Sequence, residues 1–143
     1  MGGPPLILLD TNVLSELVKP QPNQVVVDEL RRVSDRTYIS SVVLGELYLG
    51  VALCPDGQRK QSLRLHADAV REAYRDRTIS LTAGVVQNYA TSVAALRARG
   101  VSITVNDAYI AATAVTHGLR LYTRNVRDFA DYPDLEVANP WQS

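Results

Sequence analysis

Apolar positions fall into two rhythms along this chain, and their order predicts its architecture. Leu6-Ile7-Leu8-Leu9 is an unbroken apolar run ending at Asp10. A strand half exposed to water would alternate apolar and polar residues, so the unbroken run fits a strand covered on both faces, as in a parallel sheet. Asp10 then stands at the carboxyl end of a central strand, the edge of an open α/β sheet where ligands gather. Asp at a strand-to-helix junction is also an ordinary N-cap, and on this stretch alone the cap is the simpler reading. Thr11 and Asn12 read as a turn into a short helix over residues 13–18, and Lys19-Pro20-Gln21-Pro22-Asn23 as a punctuated loop.

Helical spacing resumes over residues 24–33, with Val26, Val27, Leu30 and Val33 on one side, and a β-branched, aromatic strand follows over 36–40. Ser40 or Ser41 caps a helix over 42–53, Asp56-Gly57 breaks it, and a mixed-charge helix covers 58–74. A strand over 78–81 leads to a helix over 83–99, closed by Gly100 where a left-handed residue is wanted. After a β-leaning loop over 101–105, Asn106 caps a helix that ends before Gly118; strands over 119–123 and 135–138 flank a turn over 125–130. Short strands alternating with helices mean βαβ units, hence the α/β class and a central, mostly parallel sheet between helical layers. Residues 6–141 read as a single domain without internal repeats, and residues 1–5 as a flexible lead-in.

Three acids break the apolar pattern. Glu46 shares its helix stripe with Val42, Val43, Leu49, Gly50 and Leu53, so its carboxylate projects from an apolar face. A buried carboxylate needs a cation or hydrogen-bond partners, and a salt bridge to an arginine is the plain explanation. Asp107 shares a stripe with Ile103, Thr104, Ile110, Ala111 and Ala114, and the alanines of this helix let it lie close to the sheet. Favourable interaction with the helix dipole accounts for one such acid, but not for three facing inward. Asn125 and Asp128 lie just past the strand that carries Leu121. If that strand neighbours the one carrying Leu8, then Asp10, Glu46, Asp107 and either Asn125 or Asp128 converge on one cleft. Hard oxygen donors of this kind suit Mg²⁺ or Mn²⁺, and the expected chemistry is phosphodiester hydrolysis by activated water.

Composition narrows the field. The chain has 46% hydrophobic and 21% charged residues, and zero formal net charge. That is globular, with no run approaching the roughly 20 apolar residues of a membrane span and no global signature for nucleic acid. No signal-peptide pattern precedes the first strand, so a cytoplasmic site is expected. The single Cys54 cannot form an internal disulfide. Arginines recur at 59, 64, 71, 75 and 77 and again at 97, 99, 120, 124 and 127, but acids are mixed into the first cluster, and a solvated helix face explains it as well as an RNA-facing patch.

The blocks Leu8-Leu9-Asp10-Thr11-Asn12-Val13-Leu14-Ser15-Glu16, Ser41 to Gly50 around Glu46, Asn106-Asp107-Ala108-Tyr109-Ile110-Ala111-Ala112-Thr113-Ala114, Thr123-Arg124-Asn125-Val126-Arg127-Asp128-Phe129 and Asn139-Pro140-Trp141 together resemble a PIN-domain ribonuclease, among them the VapC and FitB toxins of bacterial toxin–antitoxin modules. Each block is weak alone; their order and spacing make the signal. The resemblance implies a three-layer α/β/α sandwich and a Mg²⁺- or Mn²⁺-dependent endoribonuclease. It also implies a homodimer and a small DNA-binding antitoxin whose tail occupies the acidic groove. By position, Asp10, Glu46 and Asp107 match the family's core acids, while Thr11 and Thr123 match its small hydroxyl residues. The departure is Asn125, where the family often has Asp, which leaves Asp128 as the other candidate for the fourth position.

Competing readings fail on named residues. A dehalogenase-like phosphatase would need Asp where Asn12 stands and a lysine after a later strand, a receiver domain also lacks its lysine, and no glycine-rich loop with Lys supports a P-loop enzyme. His66 and His117 are isolated, and the chain lacks the length that flap-cutting DNA nucleases devote to duplex DNA. The alternative from another class is a catalytically silent PIN-fold module that binds RNA or an antitoxin. Tyr48, Tyr74 and Tyr89 are candidates for an oligomer interface, although packing is the commoner use of such residues.

Overall fold

Ile7, Leu8 and Leu9 make up β1 (Ile7–Leu9) and are all buried, as a strand covered on both faces must be. The computed structural model describes residues 3–142. Four further strands are β2 (Thr37–Ser40), β3 (Thr78–Ile79), β4 (Arg120–Tyr122) and β5 (Val137–Ala138). They form one sheet in the order β3-β2-β1-β4-β5. Every pairing is parallel, so the mostly parallel sheet of the sequence reading is parallel throughout. From β1 the chain moves outward to β3, then returns to the opposite side of β1 for β4 and β5. Its direction of travel therefore reverses between β1 and β4, and a crevice opens at their carboxyl ends.

The helices are α1 (Thr11–Glu16), α2 (Gln24–Val33), α3 (Ser41–Leu53), α4 (Gln58–Ala73), α5 (Ala83–Ala98), α6 (Val105–His117) and α7 (Val126–Phe129). They cover both faces of the sheet, giving the expected three layers. Helix α2 buries Val26, Leu30 and Val33, while α6 buries Ala108, Ala111, Ala112 and Ala114, the small residues that allow close approach. Gly3, Pro4 and Pro5 are exposed and belong to no helix or strand; the rest of the expected lead-in, Met1 and Gly2, lies outside the described residues. Among the described residues no helix is long and apolar enough to cross a membrane.

Two helix starts differ from the sequence reading. Thr11 and Asn12 are the first residues of α1 rather than a turn before it, because Asp10 serves as the N-cap and accepts from the Thr11 N–H. For α6 the cap is Thr104, not Asn106: the Thr104 hydroxyl accepts from the Asp107 N–H at 3.2 Å. A hydroxyl residue three positions before an acid is the spacing of a reciprocal cap, which the pattern carried unread. Ser40 caps α3, and Gly118 closes α6 at φ 66°, where any other residue would be strained. Helix α3 is less buried than its sequence suggests: Val43 and Val51 are buried, whereas Leu49 and Leu53 are 56% and 75% exposed.

The tyrosines proposed for an interface are engaged internally. Tyr48 donates to Asp68 across α3 and α4, Tyr89 stacks on Tyr109 with centroids 4.2 Å apart, and the Tyr74 hydroxyl meets that of Thr37 at 2.8 Å. Tyr74 also carries the Arg77 guanidinium over its ring at 4.6 Å. Arg77 donates to the carbonyls of Ser34 and Thr37, both at 2.9 Å, and so ties the turn before β3 to the turn before β2. These turns share a short sequence echo, Asp35-Arg36-Thr37 and Asp76-Arg77-Thr78. Arg77→Ala should lower the unfolding free energy by about 2 kcal/mol, since charge-assisted bonds to two carbonyls are lost. Arg77→Lys should recover only part of it, because an ammonium cannot keep both the stacking and the fork geometry. Urea midpoints of the three proteins test this.

Candidate active site

Asp10 leaves β1 at the crevice and is 5% exposed. Its carboxylate accepts from the Thr11 N–H at 2.8 Å, the Thr123 hydroxyl at 2.8 Å and the Asn12 amide at 3.2 Å. Burial pushes its pKa above the ordinary carboxylate value, bonds from Thr123, Thr11 and Asn12 pull it back, and the charge of Asp128 pushes it up. Thr123, fully buried just after β4, spends its one proton on Asp10 and accepts from the Asn125 N–H at 3.1 Å and the Asn12 amide at 3.3 Å. The Asn12 carbonyl oxygen accepts from the Arg124 N–H at 3.1 Å. Asn12 thus fastens the loop after β1 to the loop after β4.

Glu46, half-buried on α3, accepts from the Thr11 hydroxyl at 2.7 Å. No arginine pairs with it among the described residues, so the salt-bridge explanation does not hold. Asp107 sits in the first turn of α6, and its pKa is pushed up to about 6. Burial is the largest cause; the Asp10, Asp128 and Glu46 carboxylates add to it, and the Thr104 hydroxyl opposes it. Asp128, exposed on α7, therefore lies within electrostatic reach of both Asp10 and Asp107. Asn125 enters through its backbone N–H to Thr123; its side chain is exposed and makes no hydrogen bond among the described residues. Glu16 is kept apart: Lys19 and the Asn23 N–H hold its carboxylate below the usual range.

The crevice thus gathers Asp10, Glu46, Asp107 and Asp128, with Thr11, Thr123 and Asn12 hydrogen-bonded to the first two. Sequence reasoning missed Asn12 and Thr104. Asn12 looked like a turn residue because its partners on the β4 loop, Thr123 and Arg124, lie more than 110 positions away, whereas Thr104 had the capping spacing as a local signal. Among the described residues no three His, Cys, Asp or Glu side chains form a closed metal-ligand group. The donor chemistry nevertheless fits a hard divalent cation, which takes one or two carboxylates and keeps several waters. The Asp107 pKa is raised first by burial and then by the Asp10, Asp128 and Glu46 charges, and a cation would relieve that second part.

Sequence and structure comparisons bear on the same crevice. A family model described as the PIN domain matches residues 7–135. The chain belongs to the PIN-domain family. Relatives of this PIN domain include the toxin FitB of Neisseria gonorrhoeae, 37% identical over 95% of this chain and 99% of FitB. The plasmid stability protein StbB of Pseudomonas syringae pv. tomato is 35% identical, covering 96% and 100% of the two chains. The VapC ribonuclease Y4jK of Sinorhizobium fredii is 33% identical, covering 96% and 99%. The PIN domain superposes on the crystal structure of FitAcB from Neisseria gonorrhoeae with a TM-score of 0.88 at 36% identity, covering 96% of this chain and 100% of that one. It matches a chain of FitAB bound to a DNA fragment with a TM-score of 0.87 at 35% identity, covering 96% and 97%.

The Asp107 shift ties stability to pH. Its pKa of about 6 in the fold lies above the ordinary 3.8, so the folded protein holds the proton more tightly. The stabilisation this gives is complete below the lower value and is lost as pH rises through the higher one. In EDTA, Asp107→Asn should therefore be more stable than wild type above pH 6, by on the order of 1 kcal/mol once water's screening of the half-exposed carboxylate is counted, and flatter in its pH dependence. Urea titrations at acidic and neutral pH check the sign; a variant less stable than wild type at neutral pH would refute the strained-acid account.

Proposed function

We propose that this PIN domain is a Mg²⁺- or Mn²⁺-dependent endoribonuclease and the toxin of a toxin–antitoxin pair, acting in the cytoplasm with residues 6–141 as its working unit. The observation that carries this is the gathering of Asp10, Glu46, Asp107 and Asp128 at the sheet's switch point, with Asp107 half-buried among the other three charges. Relatives named as a VapC ribonuclease and as the toxin FitB support the substrate class and the role. A FitAB structure bound to DNA supports a DNA-binding antitoxin as partner. Exposed Leu49 and Leu53 on α3 and Leu65 on α4 offer apolar area for the expected homodimer or for the antitoxin.

Asp10, Glu46 and Asp107 would hold the cation. When bound, it supplies Lewis acidity toward the phosphodiester and lowers the pKa of water. The protein's own groups do the rest. Thr123 and Asn12 fix the orientation of the Asp10 carboxylate, and the Thr11 hydroxyl fixes that of Glu46. Such outer hydrogen bonds set ligand geometry and basicity. Water adds to phosphorus, one ester P–O bond breaks, and the departing oxygen takes a proton from solvent water. Asp128, exposed at the mouth, is placed to accept the water's proton. Asn125 acts through its backbone, which makes Asp128 the fourth acid.

The test is cleavage of a pool of structured and unstructured RNA in Mn²⁺, Mg²⁺ or EDTA. Cleavage should require the metal, and Asp10→Asn, Glu46→Gln and Asp107→Asn should each lower the rate at least about 100-fold. Asp128→Asn should impair it more than Asn125→Ala, and Thr123→Val should cost about 10- to 100-fold through misplacement of Asp10. Core-acid variants that cleave like wild type would refute the site. Metal binding without turnover on any RNA would promote the silent binding-module reading.

A further inference from the structure

The acids alone make a poor landing place for RNA, because four carboxylates repel the backbone that must enter. The turn that follows β4 supplies the opposite charge. Arg124 stands on that turn and Arg127 on α7 just after it, both exposed. Among the described residues neither guanidinium forms an ion pair, although Arg32, Arg36, Arg75, Arg99 and Arg120 all do. Arg124 lies over the Trp141 ring, 5.1 Å from its centroid, which holds the planar group in place without using its charge. Arg124, Arg127 and Asp128 line a trough of ≈ 440 Å³ whose far wall is Asn139 and Gln142. Asp128 belongs to both the trough and the acidic crevice, so the two are contiguous.

The far wall has its own chemistry. The Asn139 side-chain oxygen accepts from the Trp141 N–H at 2.8 Å, and the Gln142 N–H donates to the Asn139 carbonyl at 3.1 Å, so the closing segment is held as a turn. The Asn139 NH₂ has no partner among the described residues and keeps its two donors. The same two amide residues line the larger cavity of ≈ 570 Å³ between α2 and β5, next to Arg120 and Tyr122. The trough and this cavity share Asn139 and Gln142, so the two lie side by side beyond the turn that follows β4.

We propose that this trough is the subsite for the nucleotide adjoining the cleaved bond, with Arg124 and Arg127 holding its phosphate and the Asn139 and Gln142 amides meeting its base edge. The proposal rests on the ribonuclease reading and adds to it the side on which the strand leaves and the residues that give it base preference. Arginine's fork suits phosphate and its face suits a stacked base, while side-chain amides match the donor and acceptor edges of unpaired bases.

Binding can be separated from turnover in the Asp10→Asn background. A fluorescein-labelled single-stranded RNA is titrated by anisotropy across a potassium chloride series, with Mg²⁺ fixed. Each phosphate contact on a single strand contributes about 0.7 to the slope of log affinity against log salt. Adding Arg124→Ala and Arg127→Ala together should lower the slope by about 0.7, the share of the one phosphate they hold, and melting curves establish that the variants are folded. In the otherwise wild-type chain, Gln142→Ala and Asn139→Ala should shift the distribution of cleaved positions while cleavage persists. An unchanged slope with RNA still bound would overturn the subsite and leave the ribonuclease reading intact. Failure of wild type to cleave, with no binding by the Asp10→Asn parent, would remove both. Tighter capture of an acidic peptide than of RNA, abolished by the same two substitutions, would reassign the trough to a protein partner.

Discussion

The bond from the Thr123 hydroxyl to the Asp10 carboxylate organises this molecule. A carboxylate at 5% exposure is tolerated only when hydrogen bonds replace the water it has lost. Those bonds come from two places: the N-terminus of α1, which follows Asp10 directly, and the end of β4, which is far away in the chain. Pairing β4 beside β1 is therefore a condition for keeping Asp10 charged inside the fold. Asn12 reinforces the same junction by donating to both members and accepting from the Arg124 backbone.

The rest of the site takes its tension from this arrangement. Asp10 is relieved by three donors, whereas the half-buried Asp107 has the Thr104 hydroxyl in its favour and burial and three acids against it. The unequal support explains why Asp107, rather than the more buried Asp10, holds its proton up to about pH 6. The fold keeps one acid oriented and another strained, an arrangement that binding of a divalent cation would relax. Functional sites commonly store unfavourable charge in this way, and packing elsewhere offsets it. Here the offset lies in the buried β1 and in the alanine face of α6, which settles that helix against the sheet.

Legibility followed the range of the interaction. The bounds of α2 and the positions of Gly100 and Gly118 were readable because periodicity and capping act over a few residues. The start of α6 was misplaced by two residues, although Thr104 and Asp107 carried the signal at a spacing of three. Glu46 stood out as an acid on an apolar stripe, yet its partner proved to be the Thr11 hydroxyl and not an arginine. Asn125 and Asp128 could not be separated by sequence. Which of them faces the crevice depends on how α7 seats the buried Phe129 and on the backbone bond from Asn125 to Thr123.

Local pattern was enough to establish that strands and helices alternate, that Asp10 ends an enclosed strand, and that Glu46 and Asp107 interrupt apolar helix faces. Those facts depend on neighbours within one or two turns. Long-range packing sets the strand order β3-β2-β1-β4-β5, brings Asn12 to Thr123, and lays Arg124 over Trp141. Each of these joins residues that burial of the whole core brings together, and no local pattern records which distant partner a buried polar group will find.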